Sequence, residues 1–147
     1  MTLKPPFIAQ EGEYACALAC LRMLLAHRGI TVSEVELFRG AHLEIAAVGW
    51  INPEELALLA RQYGLPASES RVSLTQLKRL LLAKKWPIVF VNRKPIDGVS
   101  EGHAVIPTRI VQGRVTFLDP LQGERRTSVR KFEQARRIIG QWAVLWK

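Results

Sequence analysis

Four residues able to do chemistry together occur in the chain order Gln10, Cys16, His103 and Asp119. A thiol attacks a carbonyl efficiently only when a base takes its proton, another group orients that base, and donors meet the oxyanion. One thiol, one imidazole, one carboxylate and one carboxamide supply a candidate for each part. The chemistry they would perform is acyl transfer through a covalent thioester. Cys16 opens an apolar helix-like run, and His103 follows Gly102 and opens an apolar strand-like run. Asp119 closes the next such run and precedes Pro120. The interval from His103 to Asp119 accommodates two strands and a turn, which brings the two side by side. The Asp–Pro pair has a plain structural reading as well, a turn at a strand end.

The other candidates read differently. Cys20 lies one helical turn beyond Cys16 and is expected to face the core. Cys16, Cys20 and His27 do not make a zinc site, because a helix presents them at poor angles and a fourth ligand is missing. His27, near a helix C-terminus, reads as a capping or surface residue, and His42 as a solvated loop residue. Trp86, Trp142 and Trp146 read as core or groove walls. Trp50, in an irregular stretch, is the tryptophan placed to line a cleft.

Those settings require elements to position them. Residues 1–12, with Pro5 and Pro6, read as an extended lead-in whose Phe7 and Ile8 can pack. From Tyr14 to about Arg28, Leu18, Leu21, Leu24 and Leu25 recur at helical spacing, and Gly29 supplies the stop. VSEVELFRG predicts a short second helix ending at Gly40, and Ala41 to Ile51 an irregular segment with Gly49 and Trp50. Asn52–Pro53 opens a third helix that Gly64 ends. GLPASESRV reads as a short strand, and Ser73 caps the helix SLTQLKRLLLAKK. Beyond Trp86–Pro87 the runs IVFVN, HAVIPTRI, RVTFLD and WAVLW are β-branched and aromatic, hence strands. Gln112–Gly113 makes a hairpin turn, NRKPIDGVSEG a loop, and SVRKFEQARR a small helix before the last strand. Helices first and an antiparallel sheet second give an α+β architecture, expected as one domain over residues 1–147.

Composition narrows the class. The 147 residues are 48% hydrophobic and 23% charged, as in an ordinary globular chain. No apolar run approaches the ~20 residues that span a bilayer, and MTLKPPFIAQ lacks the apolar centre of a signal peptide. Two cysteines four apart in one helix are badly placed for a disulfide, so a reducing, cytoplasmic setting is expected. The net charge of +8 invites a nucleic-acid partner. The basic residues are dispersed, however, with small clusters at Lys84–Lys85, Arg125–Arg126 and Arg136–Arg137 and no recognition motif, so no specific nucleic acid is expected. An acidic peptide, an acidic partner or a membrane surface fits the charge equally well.

QEGEYACALACLRMLLAHRG, beginning at Gln10, resembles the opening of the peptidase C39 family. These are papain-like domains that cleave leader peptides in bacteriocin-processing ABC transporters, together with stand-alone relatives. The resemblance continues through LALLARQYGLPA, SLTQLKRLL, PIVFVN, GHAVI and FLDPLQGERR to a final FEQA and GQWAVLW, and so covers nearly the whole chain. It implies Cys16 as nucleophile, His103 as general base and later acid, Asp119 as the group orienting His103, and Gln10 as an oxyanion donor. It implies a peptide substrate, a leader ending in two small residues, usually Gly–Gly, that is cleaved after them. No metal or cofactor is implied. The partner would be an ABC transporter or export machinery, the chain standing alone or forming a transporter's front domain. That last case would place it at the inner face of the membrane.

Each role also fits its local setting, since the first turn of a helix and an adjacent imidazolium both favour a thiolate. The chain departs from the family pattern at Ala15 and Ala17, where an acidic residue and Gly are common. Ala17 narrows the substrate channel, and Trp50 and Gly102 are expected beside it. The loop before His103 is longer than usual, with Asp97 and Glu101 near the mouth, as a lid or specificity element would be. Two other classes stay open: a C39-like module that grips a peptide without cutting it, and a papain-like enzyme with another acyl-transfer activity.

Overall fold

The computed structural model describes residues 4–41 and 51–146. Helix α1 (Cys16–His27) buries the four leucines expected of it, but also Ala17, Ala19, Cys20 and Met23. A helix apolar on nearly all sides belongs at the centre rather than on the surface. Each of its buried leucines stabilises by about 1.5–3 kcal/mol, so the helix end that carries Cys16 is firmly held. The other end closes as predicted: Gly29 takes φ of 82°, and Gly29 N and Ile30 N donate to Ala26 O and Leu25 O, both at 2.9 Å.

The next three helices each start at a side-chain cap. Ser33 accepts from Glu36 N to open α2 (Glu34–Gly40), and Asn52 accepts from Glu55 N to open α3 (Pro53–Gln62). Ser73 and Gln76 exchange a reciprocal pair of bonds to open α4 (Leu74–Leu82). The irregular stretch expected between α2 and α3, with His42, Gly49 and Trp50, lies outside the described residues save its ends.

The strands are β1 (Ala67–Arg71), β2 (Ile88–Asn92), β3 (Gly102–Val111), β4 (Arg114–Asp119), β5 (Gly123–Ser128) and β6 (Trp142–Trp146). They form one six-stranded sheet in the order β1-β6-β2-β3-β4-β5, every pair antiparallel. The fold is α+β. The last strand inserts between β1 and β2, and Ile88 to Val91 of β2 are buried on both faces. Gln112 and Gly113, at φ of 52° and 74°, make the tight β3–β4 turn. The pairing shifts register between Pro107 and Arg109, where proline has no N–H to give the ladder.

Two elements differ from expectation. Strand β5, GERRTS, is too polar to read as a strand. It forms because β4 presents a free edge, and every residue from Gly123 to Ser128 pairs with it. Within the predicted loop before His103, Lys94–Asp97 forms a single helical turn, α5, ended by Gly98 at φ 78°. Pro95, tolerated at a helix start, supplies the constraint. The final helix α6 (Val129–Ile138) follows, with Ser128 accepting from Lys131 N.

Candidate active site

Cys16 is the first residue of α1 and half-buried. Its N-cap is Ala15, which has no side chain to bond the first-turn amides, so those N–H groups are not satisfied from a cap. His103 is the second residue of β3 and pairs across to Val91. Asp119 is the last residue of β4. The β3–β4 hairpin aligns Ile106 with Leu118, which carries His103 and Asp119 to the same end of the sheet.

The side chains meet there. His103 Nε2 lies 2.7 Å from Asp119 Oδ1, both residues buried at 4% and 1% exposure. With Nε2 committed to the carboxylate, Nδ1 is the ring nitrogen left for Cys16, which lines the same cleft and is among the groups that raise the His103 pKa. Burial disfavours the imidazolium, but the bonds to Asp119 and Cys16 and their charges outweigh it and raise its pKa from 6.5 to about 9. Burial likewise works against the Asp119 carboxylate, yet His103, Leu121 N and Arg125 together hold its pKa below the ordinary value.

Asp119 also satisfies its structural reading. Oδ1 accepts from Leu121 N at 2.9 Å, an Asx-type turn over Pro120, so the turn and the contact with His103 share one carboxylate. One turn along α1, Cys20 is fully buried and its thiol donates to Ala104 O at 3.5 Å. Burial first, then the charges of Cys16 and Asp119, push the Cys20 thiol pKa well up.

A 670 Å³ cleft opens over the pair, with Cys16, His103, Gln10, Ala17 and Gly102 among its lining residues. Tyr14, Leu121, Phe90 and Ile51 give it apolar walls. Trp50, expected there, falls outside the described residues, next to Ile51. A second hollow of 510 Å³ between α2 and α3 holds no thiol or imidazole among the described residues. Gln10 is held in place by its backbone and its side chain. Its N–H donates to Pro120 O at 3.0 Å. Its Nε2 donates to Gly12 O at 2.8 Å and Glu13 O at 3.2 Å, while Oε1 is buried without a partner among the described residues.

Sequence reasoning missed the supports of this site. Arg125, read only as part of a basic cluster, donates to Asp119 Oδ2 at 3.0 Å and clamps Asp97 at 2.6 and 3.1 Å. Asp97 and Glu101, expected near the mouth, are engaged by Arg125 and Arg93. Glu34, on α2, accepts from Glu11 N and Gly12 N at 2.9 and 2.8 Å and so holds the loop between Gln10 and Cys16. The local signal for Arg125 was its place six residues after Asp119, across a hairpin that was not foreseen. His27, expected as a capping or surface residue, sets its ring edge-on to Trp86, 5.2 Å between centroids.

The same architecture occurs in solved structures. A C39-like peptidase from Bacillus anthracis, described as putative, superposes with a TM-score of 0.78 at 22% identity, covering 97% of this chain and 94% of that one. A double-glycine-motif protease from an AMS/PCAT transporter, solved with its leader peptide, gives 0.74 at 21% identity, covering 98% and 93%. The peptidase domain of Streptococcus ComA, a bifunctional ABC transporter of a quorum-sensing pathway, gives 0.76 at 18% identity, covering 95% and 96%. No curated protein sequence matches this chain. At these identities the superpositions establish the papain-like fold. The sequence pattern of the peptidase C39 family matches residues 4–135, and the chain therefore belongs to the peptidase C39 family.

Proposed function

We propose that the chain is a single-domain cysteine endopeptidase that cleaves a peptide bond after small residues, as at the Gly–Gly end of a leader peptide. The observation that carries this reading is the placement of His103 between Asp119, at 2.7 Å from Nε2, and Cys16, within one cleft. The raised pKa of His103, about 9, keeps the imidazole protonated at neutral pH, the state in which it can pair with a Cys16 thiolate.

The thiolate attacks the scissile carbonyl carbon, and the carbonyl electrons move onto oxygen. The first-turn amides of α1 receive that oxyanion. Gln10 Nε2 joins them by exchanging its longer bond, to Glu13 O, for the substrate oxygen. Imidazolium then protonates the departing amine, and the C–N bond breaks to leave a thioester on Cys16. His103, now neutral, takes a proton from water as the water attacks the thioester, which frees the acid and restores the ion pair. Asp119 holds the ring in place through both steps.

Ala17 and Gly102 line the cleft beside Cys16 and His103, and neither projects more than a methyl group there. Residues with little or no side chain at the two positions before the cut suit such a channel. The complex of a related transporter protease with its leader peptide supports the same substrate class, and with it a role in peptide maturation or export beside a transporter. No helix among the described residues is long and apolar enough to cross a membrane.

A synthetic leader peptide ending in Gly–Gly tests the proposal. Wild-type protein should cut after the second glycine, and Cys16→Ala should bind the peptide without cutting. If wild-type protein binds and never cuts, the chain is a docking module. If no such peptide binds, the substrate assignment fails.

A further inference from the structure

Between β2 and β3 runs a strap, residues 93–101, closed at its base by Arg93 N donating to Glu101 O at 2.9 Å. Its helical turn carries Asp97, whose carboxylate is far from the cysteine in sequence and touches no part of the reacting group. Its two oxygens instead receive Arg125, from β5, at 2.6 and 3.1 Å, and Arg93 approaches at 3.4 Å. Arg93 is fixed in turn by Glu101 at 3.0 Å.

Arg125 spends its remaining reach on the active-site carboxylate. The Nη1 that bonds Asp97 Oδ2 also bonds Asp119 Oδ2 at 3.0 Å, and the guanidinium lies 5.7 Å over the Phe117 ring. Both oxygens of Asp119 are therefore engaged. Oδ1 takes His103 Nε2 and Leu121 N; Oδ2 takes Arg125. Without Arg125, Oδ2 would sit in a region 1% exposed with no donor among the described residues, and rotation of the carboxylate would carry Oδ1 away from the imidazole.

We propose that Arg125 is a positioning residue for the His103–Asp119 pair, and that Asp97 couples its position to the strap beside the cleft. The strap thereby becomes part of the catalytic support: when residues 93–101 are displaced, Arg125 is released and Asp119 loses the donor that sets its rotation. This rests on the reading of Cys16, His103 and Asp119 as a peptidase site. Planar guanidinium geometry is required, because one group must meet two carboxylates at once.

The groups facing Asp119 are His103 on β3, Arg125 on β5 and Cys20 on α1. Arg125 is the fixed cation among them. Its loss should shift the acid limb of the activity profile to higher pH, since the Asp119 carboxylate becomes easier to protonate.

The experiment compares wild type, Arg125→Gln, Arg125→Lys and Asp97→Asn, each checked for folding by circular dichroism. Two readouts are used: the pH dependence of Cys16 alkylation by iodoacetamide and the kinetics of Gly–Gly peptide cleavage. Arg125→Gln should lower kcat about tenfold or more with KM little changed, as expected for a misplaced catalytic group, and move the acid limb upward. Arg125→Lys keeps the charge and should leave the acid limb in place while recovering only part of kcat. Asp97→Asn, which does not touch Asp119, should lower kcat by a smaller factor. An acid limb and kcat unchanged in folded Arg125→Gln would overturn the inference and leave the peptidase reading intact. A wild-type Cys16 that alkylates no faster than an ordinary thiol would remove that reading and this inference with it. Should Arg125→Gln fail to fold, Arg125→Lys and Asp97→Asn decide: wild-type kcat in both overturns it.

Discussion

Gln10 N donates to Pro120 O at 3.0 Å, tying the segment just before the nucleophile to the residue just after Asp119. Two distant parts of the chain meet here through a backbone bond, and Gln10 and Leu121 beside it both line the cleft. The same segment is gripped from the other side by Glu34, which accepts from Glu11 N and Gly12 N. The approach to Cys16 is thus held between α2 and the β4–β5 turn.

The Glu34 clamp gives the first expectation. Glu34→Ala leaves two amide hydrogens without their acceptor, at a cost of about 1–3 kcal/mol. Urea unfolding should show a lowered midpoint, and peptide cleavage should slow because Gln10 and the start of α1 lose their fixed approach. A variant with wild-type midpoint and wild-type turnover would show that the clamp does neither.

Cysteine labelling separates the two thiols. Cys20 is fully buried with its pKa pushed up by burial and by the charges of Cys16 and Asp119, whereas Cys16 is half-buried at the cleft. Iodoacetamide near neutral pH should label Cys16 at least about tenfold faster than Cys20, thiolate content and access governing the rate. Peptide mapping of the labelled protein reads the ratio directly, and equal labelling is the contrary result.

The pH dependence follows from His103. Its pKa rises on folding from 6.5 to about 9, so the folded state binds the proton more tightly than the unfolded chain. That contribution to stability is complete below pH 6.5 and is lost as the pH climbs through about 9. Asp119 and Asp97 act in the opposite sense, their lowered values adding stability that is present above about 3.8 and lost at lower pH. Thermal melts from pH 6 to 10 should show Tm falling on the alkaline side in wild type, and less so in His103→Gln. Cleavage should fade over the same alkaline range as the imidazolium is lost.

Arg136 offers a test of the core remote from the cleft. It is 0% exposed, bonds Glu133 at 2.6 and 3.0 Å, and donates to Val72 O at 2.8 Å. Arg136→Met strands a buried carboxylate and should destabilise by about 3–5 kcal/mol. Adding Glu133→Leu should restore most of the loss, since the unpaired charge is then gone. Denaturant midpoints of the single and double variants measure this; a double variant no better than the single would refute it.

Much of the helical half was legible because its signals are local. Asn52 and Ser73 mark helix starts through bonds to residues three positions on, and Gly29 and Gly64 mark stops through left-handed backbone. The hydrophobic runs of β2, β3, β4 and β6 speak for themselves by composition. The burial of α1 on nearly all sides could also be glimpsed in its dense Ala and Leu content, though its place at the centre comes from what packs around it.

Strand β5 was not legible, because GERRTS carries no strand preference and takes its form from the edge of β4. The role of Arg125 went unseen with it, since a basic residue shows its partner only once the hairpin faces it toward Asp119 and Asp97. Likewise Gln10 was read correctly as preceding the helix, but its bonds to Gly12 O and Glu13 O depend on how the loop folds back.

What the sequence determined by itself was most of the elements, all but β5 and the turn α5, and the order in which Gln10, Cys16, His103 and Asp119 occur along them, because propensity, capping and periodicity act over a few residues. What only the tertiary structure decided was the distance between His103 and Asp119, the clamp of Glu34, and the chain of ion pairs from Asp119 through Arg125 to the strap. Those depend on strand register and on charges that meet from distant parts of the chain, and no local pattern records them.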